Sequence, residues 1–419
     1  MINDVFSTAD ILIPEGVSME KWSVVACDQF SSQREYWERV REYVGEEPST
    51  LNMIIPEVYL DEIDGEKKTG EISEAMDEYT ERGLLRAVKD SFVYVERTLT
   101  DGRIRRGIVG AVDLEEYDFS GGAAAVLASE GTVLERLPAR IIVRRNARLE
   151  LPHIIAFIDD KAATVIEPLS EKTGGLTPLY DFDLMDAAGR VKGWRVSGAG
   201  AEAVKAAVRE LGAEGAPGAQ DTPGAPGVNS QMLMIVGDGN HSLAAAKVYW
   251  DEIKQNLSET EREEHPARRA LVEVNNVYDS AISFEAIHRV VFNVDPAQFV
   301  STLKSALPGG DDYELRWISH DGSGLIGVAA SCIGDMLTLV QEFLDRKTAS
   351  SGCRVDYIHD ADAALRLAKQ ERCIGLILPA MDKSEIFKTV ASRGVFPKKS
   401  FSVGHAMDKR FYLECRSII

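Results

Sequence analysis

The stretch MLMIVGDGNHSLAAAKVYWDEIK, Met232 to Lys254, decides how the rest of the chain is read. Met232 to Gly237 is a nearly continuous apolar run too short for an ordinary helix, so it reads as a buried strand. Leu243, Ala246, Trp250 and Ile253 fall on one face at helical spacing, which predicts a helix opening near Asn240 or Ser242. Between the two lies a turn with Gly237 and Gly239 around Asp238. A helix start offers unpaired N–H groups and the positive end of a dipole, and glycine lets an anionic ligand approach closely. Asp238 and His241 beside it have the chemistry to move a proton or help hold a metal. The alternative is a strand-to-helix turn capped by Asp or Asn with nothing bound.

Outward from that unit, 419 residues suffice for a substantial core, divided into two or three domains or built as one large α/β unit. No apolar run approaches the roughly 20 residues of a membrane span, and MINDVFSTADILIPEG lacks the basic and apolar regions of a signal peptide. The expectation is a cytoplasmic protein. Five cysteines, far apart, odd in number and without a Cys-x-x-Cys pair, read as free thiols. Cys27 is a structural cysteine in preference to a nucleophile, since Asp28 beside it opposes thiolate formation.

The formal net charge of −20 argues against nucleic acid as a partner, because phosphate backbones are held by Lys and Arg. A small-molecule ligand remains, taken by a locally basic pocket. Arg103, Arg105 and Arg106, and Arg144 with Arg145, form short basic clusters that are either such a pocket or solvated strand ends. The composition is compatible with a homo-oligomer.

The fold class expected is mixed α+β, a form of α/β, with a β-rich N-terminal half and an alternating α/β C-terminal half. In the first half, Ser23–Cys27 reads as a strand leading to a helix capped by Ser32 with Glu35. A second helix carries Ile72, Ala75, Met76 and Tyr79. Strands Ser91–Leu99 and Ile104–Leu114 are joined at Asp101-Gly102, a strong hairpin signal. Further β segments are predicted at Arg140–Val143, His153–Ile158, Ala163–Ile166 and Val191–Val196. Gly212 to Gly227 is Gly, Ala or Pro at 12 of 16 positions, which predicts a mobile loop. It separates a 1–211 domain from a 229–419 domain across residues 212–228, or is a surface insertion in one compact unit. Beyond it come strands at Ala270–Val277 and Ile374–Leu378, and a terminal strand in FYLECRSI.

Zinc is not expected, for the histidines show no metal-ligand pairing, and nothing points to haem or flavin. Magnesium needs only one or two protein carboxylates and stays open. There is no Walker-type phosphate loop, no G-x-G-x-x-G after a strand and no G-x-S-x-G elbow.

Seven blocks occur in one order: ACDQ at Ala26, GIVGAVDLEEYD at Gly107, SEGT at Ser129, PLYDF at Pro178, VGDGNHSLAAAK at Val236, AIHRVV at Ala286 and PKKSF at Pro397. In these the chain resembles the bacterial and archaeal domain of unknown function 1015 family. That family's central DGHHR-type motif is similar to the phosphate-cradling motif of the ParB and sulfiredoxin-like superfamily and of an archaeal ADP-dependent serine kinase. Asp238, Gly239 and His241 match it. Asn240 replaces the first His and Ser242 the Arg, so another basic residue must serve a phosphate, or the ligand differs.

The resemblance implies a nucleotide, ATP or ADP, with Mg²⁺ placed by Asp238, and phosphate held by Gly239, Asn240 and Ser242. It also maps Asp28, Glu130 with Thr132, His288 with Arg289, and Lys399 with Ser400 onto family positions. Glu130 is the candidate general base or a surface carboxylate, His288 a ligand-binding or a core histidine, and Lys399 a phosphate partner or a solvated lysine. The expected activity is phosphoryl transfer to or from a small hydroxylated metabolite such as an amino acid, with Asp28, Glu130, Asp238 and His241 catalytic. The alternative is a non-catalytic ligand sensor or scaffold. If Asp28, Glu130, His241, His288 and Lys399 converge on one cleft, a site is indicated; if they scatter, the functional reading fails.

Overall fold

The computed structural model describes residues 4–31, 33–60, 65–132, 134, 137–214 and 231–419. The fold is α+β and carries an 11-stranded mixed sheet and a 5-stranded antiparallel sheet. Strand Met234–Asp238 lies inside the large sheet, parallel to Val126–Ala128 on one side and antiparallel to Ile155–Ile158 on the other. Next come Arg269–Asn276, Ile104–Asp113, Leu85–Thr98, Arg190–Val196 and Thr177–Asp183 in that order.

The apolar run of the central strand is explained by burial on both faces. Met234 and Val236 pack with Leu243 and Trp250 of the following helix, Asn240–Ile253. Ile235 points the other way, with Phe157, into the core shared with the 5-stranded unit. Gly237 is needed where the backbone passes Phe157, since a Cβ there would lie 2.0 Å from the ring.

The large sheet does not respect the 212–228 boundary. It draws Met234–Asp238 and Arg269–Asn276 from beyond that stretch, while the 5-stranded sheet begins only at His288–Phe292. The C-terminal segment then returns to the first unit through bridges Val25 to Phe411 and Leu12 to Cys415, and through Arg416–Ser417 paired with Leu149–Glu150. Of the predicted loop, Gly212 to Glu214 end the helix Ala199–Glu214; residues 215–230 lie outside the described residues.

Several local expectations are corrected. Arg140–Val143 is not a strand but part of the helix Leu137–Asn146, because Leu137 and Ile141, one turn apart, bury against Ala244 and Ala245. Tertiary packing overrides the β-branched character of that run. Ser23–Cys27 and FYLECRSI run extended, but Val25, Phe411 and Cys415 make only isolated bridges and the last strand has two residues. Ala163–Ile166 is a turn whose Thr164 and Val165 amides donate to the buried Asp160 carboxylate at 2.6 and 2.8 Å. Ser32 lies outside the described residues; the helix Arg34–Val44 has Gln33 at its N-cap. Among the described residues, no helix is long and apolar enough to cross a membrane.

Candidate functional site

The strand ends on Asp238, and Gly239 takes φ +77° before the helix opens at Asn240. A Cβ on Gly239 would stand 3.0 Å from the Ile154 backbone, so the left-handed turn and the close approach both demand glycine. Gly239 has no side chain with which to cap the helix, and the first turn holds no acidic residue. The positive end of the dipole is therefore not offset by the helix's own residues. Gly239 N–H donates to Asp238 Oδ1 at 3.1 Å.

The other Asp238 oxygen lies 3.3 Å from the ammonium of Lys409, with the lysine side chain 7% exposed and the aspartate 14%. Lys409 follows the turn Ala406–Asp408 and heads the returning C-terminal segment. Its charge also reaches Asp28. Burial alone would raise the Asp28 carboxyl, but the His153 ring, a 3.0 Å hydrogen bond from Gln29, and the charges of Lys409 and Arg140 together hold it below its ordinary value. His153 Nε2 is 3.8 Å from Asp28, and His153 Nδ1 is 2.8 Å from the Tyr412 hydroxyl, which accepts from Cys27 N–H at 3.3 Å. Burial and the neighbouring Asp28 push the Cys27 thiol up to about 12, which fits a structural cysteine.

On the opposite side of the turn, the Asn240 amide donates to Ser129 Oγ at 3.3 Å, while Asn240 Oδ1 is buried without a hydrogen-bond partner among the described residues. Glu130 follows Ser129. Its Oε2 accepts from Lys399 N–H at 3.0 Å, and its Oε1 from Ser400 N–H at 3.0 Å and Phe401 N–H at 3.3 Å. Burial nevertheless raises its carboxyl to about 6, against those amides and the Arg289 charge.

Arg289 is itself lowered to about 10 by burial; it donates to Gln341 at 3.3 Å and lies 5.0 Å from the Tyr357 ring. The Lys399 ammonium stands 5.5 Å from the same ring. His288 is buried and its Nδ1 accepts from Leu378 N–H at 3.2 Å, the geometry of a satisfied core histidine. Burial and Arg289 lower its ring.

These residues form two groups joined by charge. Asp28 and Asp238 share Lys409; Glu130, Lys399 and Arg289 form the second group. His359 links them, its ring lowered by burial and then by Lys409, Lys399 and His288. His241 is half-buried on the first helical turn, and Ser242 lines a cavity together with Cys27, His153 and Tyr412. Of the basic clusters, Arg105 is buried 3.6 Å from Glu273 and Arg144 pairs with Glu150 at 2.7 Å, so both are internal ion pairs. Arg103 pairs with Asp101 at the surface, Arg106 with Asp279 and Arg145 with Glu252. Among the described residues, no group of three or more His, Cys, Asp or Glu side chains is placed to hold a metal.

Sequence reading missed Lys409, His153, Tyr412 and His359. Lys409 and Tyr412 stand in one block, MDKRFYLEC, whose mixture of charge and aromatics in a segment read as a terminal strand was the available signal.

A search of curated proteins finds no match. Among solved structures, the chain is similar to a conserved hypothetical protein from Pyrococcus furiosus, at 12% identity and TM-score 0.36, covering 72% of this chain and 93% of that one. It is also similar to a free serine kinase in complex with AMP, at 13% identity and TM-score 0.38, covering 72% and 90%. A third is SbnI with a C-terminal truncation from Staphylococcus aureus, at 10% identity and TM-score 0.35, covering 71% and 82%. A family profile described as protein of unknown function matches residues 13–392. With that match spanning most of its length, the chain belongs to the DUF1015 family of proteins of unknown function.

Proposed function

We propose that the Gly239–Ser242 turn holds the phosphates of a nucleotide, ATP or ADP, and that the protein transfers a phosphoryl group to or from a small hydroxylated metabolite such as an amino acid. The observation that supports this reading is the buried Lys409 ammonium 3.3 Å from Asp238 at a helix start with no side-chain cap. It places a cation beside the turn where Ser242 stands in place of the relatives' arginine, and a phosphate there would share that cation with Asp238. Phosphoryl transfer needs positioning and charge neutralisation more than covalent help from the protein. In this reading first-turn amides and His241 hydrogen-bond the phosphate, and Lys409 neutralises it. Were magnesium to accompany the nucleotide, Asp238 is the carboxylate that would help hold it, and the ion would offset phosphate charge. The acceptor hydroxyl attacks the terminal phosphorus as the bridging P–O bond breaks, and its proton passes to a carboxylate.

Asp28, its carboxyl held below its ordinary value by the His153 ring and fixed by the Gln29 hydrogen bond, suits that last role. Glu130 has both oxygens taken by the Lys399–Phe401 amides, so it serves by fixing that segment, and acts as base only if the segment releases it. The same observation favours a second reading, a sensor that binds the ligand without turnover.

Calorimetry with ATP, ADP and CTP, with and without Mg²⁺, on the wild type and on His241→Ala tests the binding. Wild-type affinity lost in the variant is expected; absence of nucleotide binding by the wild type across salt conditions would sink the proposal. A nucleotide-conversion assay over a panel of amino acids separates enzyme from sensor, since any His241-dependent turnover rules out the sensor.

A further inference from the structure

The outer strands of the two main sheets differ in how they are closed to further pairing. Such a strand presents unpaired N–H and C=O groups, and folded chains blunt it with charges, proline, bulges or brevity. In the large sheet, Tyr117–Asp118 has only two residues, and Thr177–Asp183 carries Pro178, Asp181, Asp183 and a register shift against Arg190–Val196. In the 5-stranded sheet, Arg354–Ile358 carries Arg354 and Asp356. The opposite edge of that sheet, Ser323–Val328, has none of these devices. It reads SGLIGV, without charge or proline, and pairs with Tyr313–Ser319 with no register shift. Its Leu325 is 55% exposed.

The hairpin fixes which backbone groups face outward. Ser319 N–H donates to Gly322 C=O at 2.8 Å, and opposed residues of an antiparallel pair alternate between hydrogen-bonded and non-bonded. Gly324 and Ile326 therefore bond to Tyr313–Ser319, while the N–H and C=O of Ser323 and Leu325 point away from it. Further along, the outward Ala329 N–H donates to Pro308 C=O at 2.8 Å, and Gly310 lies so close over Gly327 that a Cβ there has no room. The chain thus covers one end of the edge itself and leaves Ser323 to Leu325 open.

We propose that this edge pairs with the same edge of a second copy of the chain, antiparallel about a two-fold axis through Gly324. Ser323 of each copy then exchanges both backbone hydrogen bonds with Leu325 of the other. The two Leu325 side chains fall on one face at the diagonal spacing of about 7–8 Å, within mutual reach, which covers the exposed leucine. Copies of a chain with net charge −20 repel one another, and a segment without charge is where two can approach. The contact is isologous and uses up the open edge on both sides, so it closes as a dimer and does not propagate. It stands independently of the nucleotide reading.

Sedimentation velocity of the full-length protein, at concentrations up to about 200 µM, tests the pairing. The wild type is expected to be dimeric at the upper end and to dissociate on dilution, since a single strand pair is a small interface. Leu325→Lys sets a charge on each edge and should weaken association about tenfold or more. Ser323→Pro removes an N–H that the chain's own sheet does not use, and should weaken it as much with the thermal midpoint unchanged. Ile142→Lys alters an exposed apolar residue on the helix Leu137–Asn146 in the same way and should leave the dimer intact. Hydrogen exchange at the Leu325 amide should slow as wild-type concentration rises. If Leu325→Lys fails to fold, Ser323→Pro and the exchange measurement decide. A wild type monomeric throughout, a dimer that a folded edge variant leaves intact, or one that Ile142→Lys dissociates equally would overturn the proposal.

Discussion

Replacing Lys409 with Met leaves the Asp238 carboxylate, only 14% exposed, without the ammonium 3.3 Å away. At an effective dielectric near 20, charges at that distance attract by about 5 kcal/mol, part of which offsets the cost of burying them. Removing one partner of a buried pair costs about 3–5 kcal/mol, and the lower end applies because Asp238 keeps the Gly239 amide. Asp238→Asn should cost less, about 1–2 kcal/mol, because Lys409 retains Asp28 nearby. The double variant has no charge to strand and should be less destabilised than the sum by about 1.5–2 kcal/mol. Urea unfolding of the four proteins at pH 7, with unchanged m-values, measures the coupling. Additivity within about 0.5 kcal/mol would refute the claim that Lys409 and Asp238 are energetically coupled.

Gly239→Ala forces a Cβ into the left-handed region and against Ile154, so a loss of about 2 kcal/mol in urea unfolding and weakened nucleotide binding are expected; a neutral result would show that the turn tolerates relaxation. Glu130 is raised from 4.5 to about 6 on folding, so the folded state binds its proton more tightly. Its contribution therefore falls as pH rises through that interval and is at most about 2 kcal/mol. Comparing Glu130→Gln with wild type by thermal unfolding between pH 4 and 7 should flatten that slope, and parallel profiles would contradict it. Because Cys27 is raised to about 12 and the other four cysteines are buried, thiol labelling at pH 8 should be slow in the native protein and complete only in denaturant. Rapid native labelling of Cys27 would count against a thiol held protonated beside Asp28.

What the sequence revealed follows the range of the interactions. The strand, turn and helix at Met234–Ile253 were legible because each depends on local periodicity and on glycine at a φ that other residues resist. The Arg140–Val143 run was misread because three β-branched residues outweigh helical spacing until Ala244 and Ala245 are known to lie beneath it. The placement of Met234–Asp238 between Val126–Ala128 and Ile155–Ile158 depends on pairings no local pattern encodes. The same holds at the site. Family likeness pointed to Glu130, but not to the amides that occupy it, since Ser400 lies 270 residues away. Lys409 was missed for the same reason. The charged and aromatic block around Lys409 marks that segment as unusual, but its partner Asp238 is known only once the chain folds back.

The central claim, that a phosphate sits on the first turn of the Asn240–Ile253 helix, is tested most directly by amide chemical shifts. Titrating ¹⁵N-labelled protein with ADP, and separately with adenosine, should move the amides of Gly239, Asn240, His241 and Ser242 with ADP and leave them unmoved with adenosine. The same titration of Lys409→Met should show the response weakened. Shifts at those amides that adenosine reproduces, or an ADP response confined to other parts of the chain, would contradict the account.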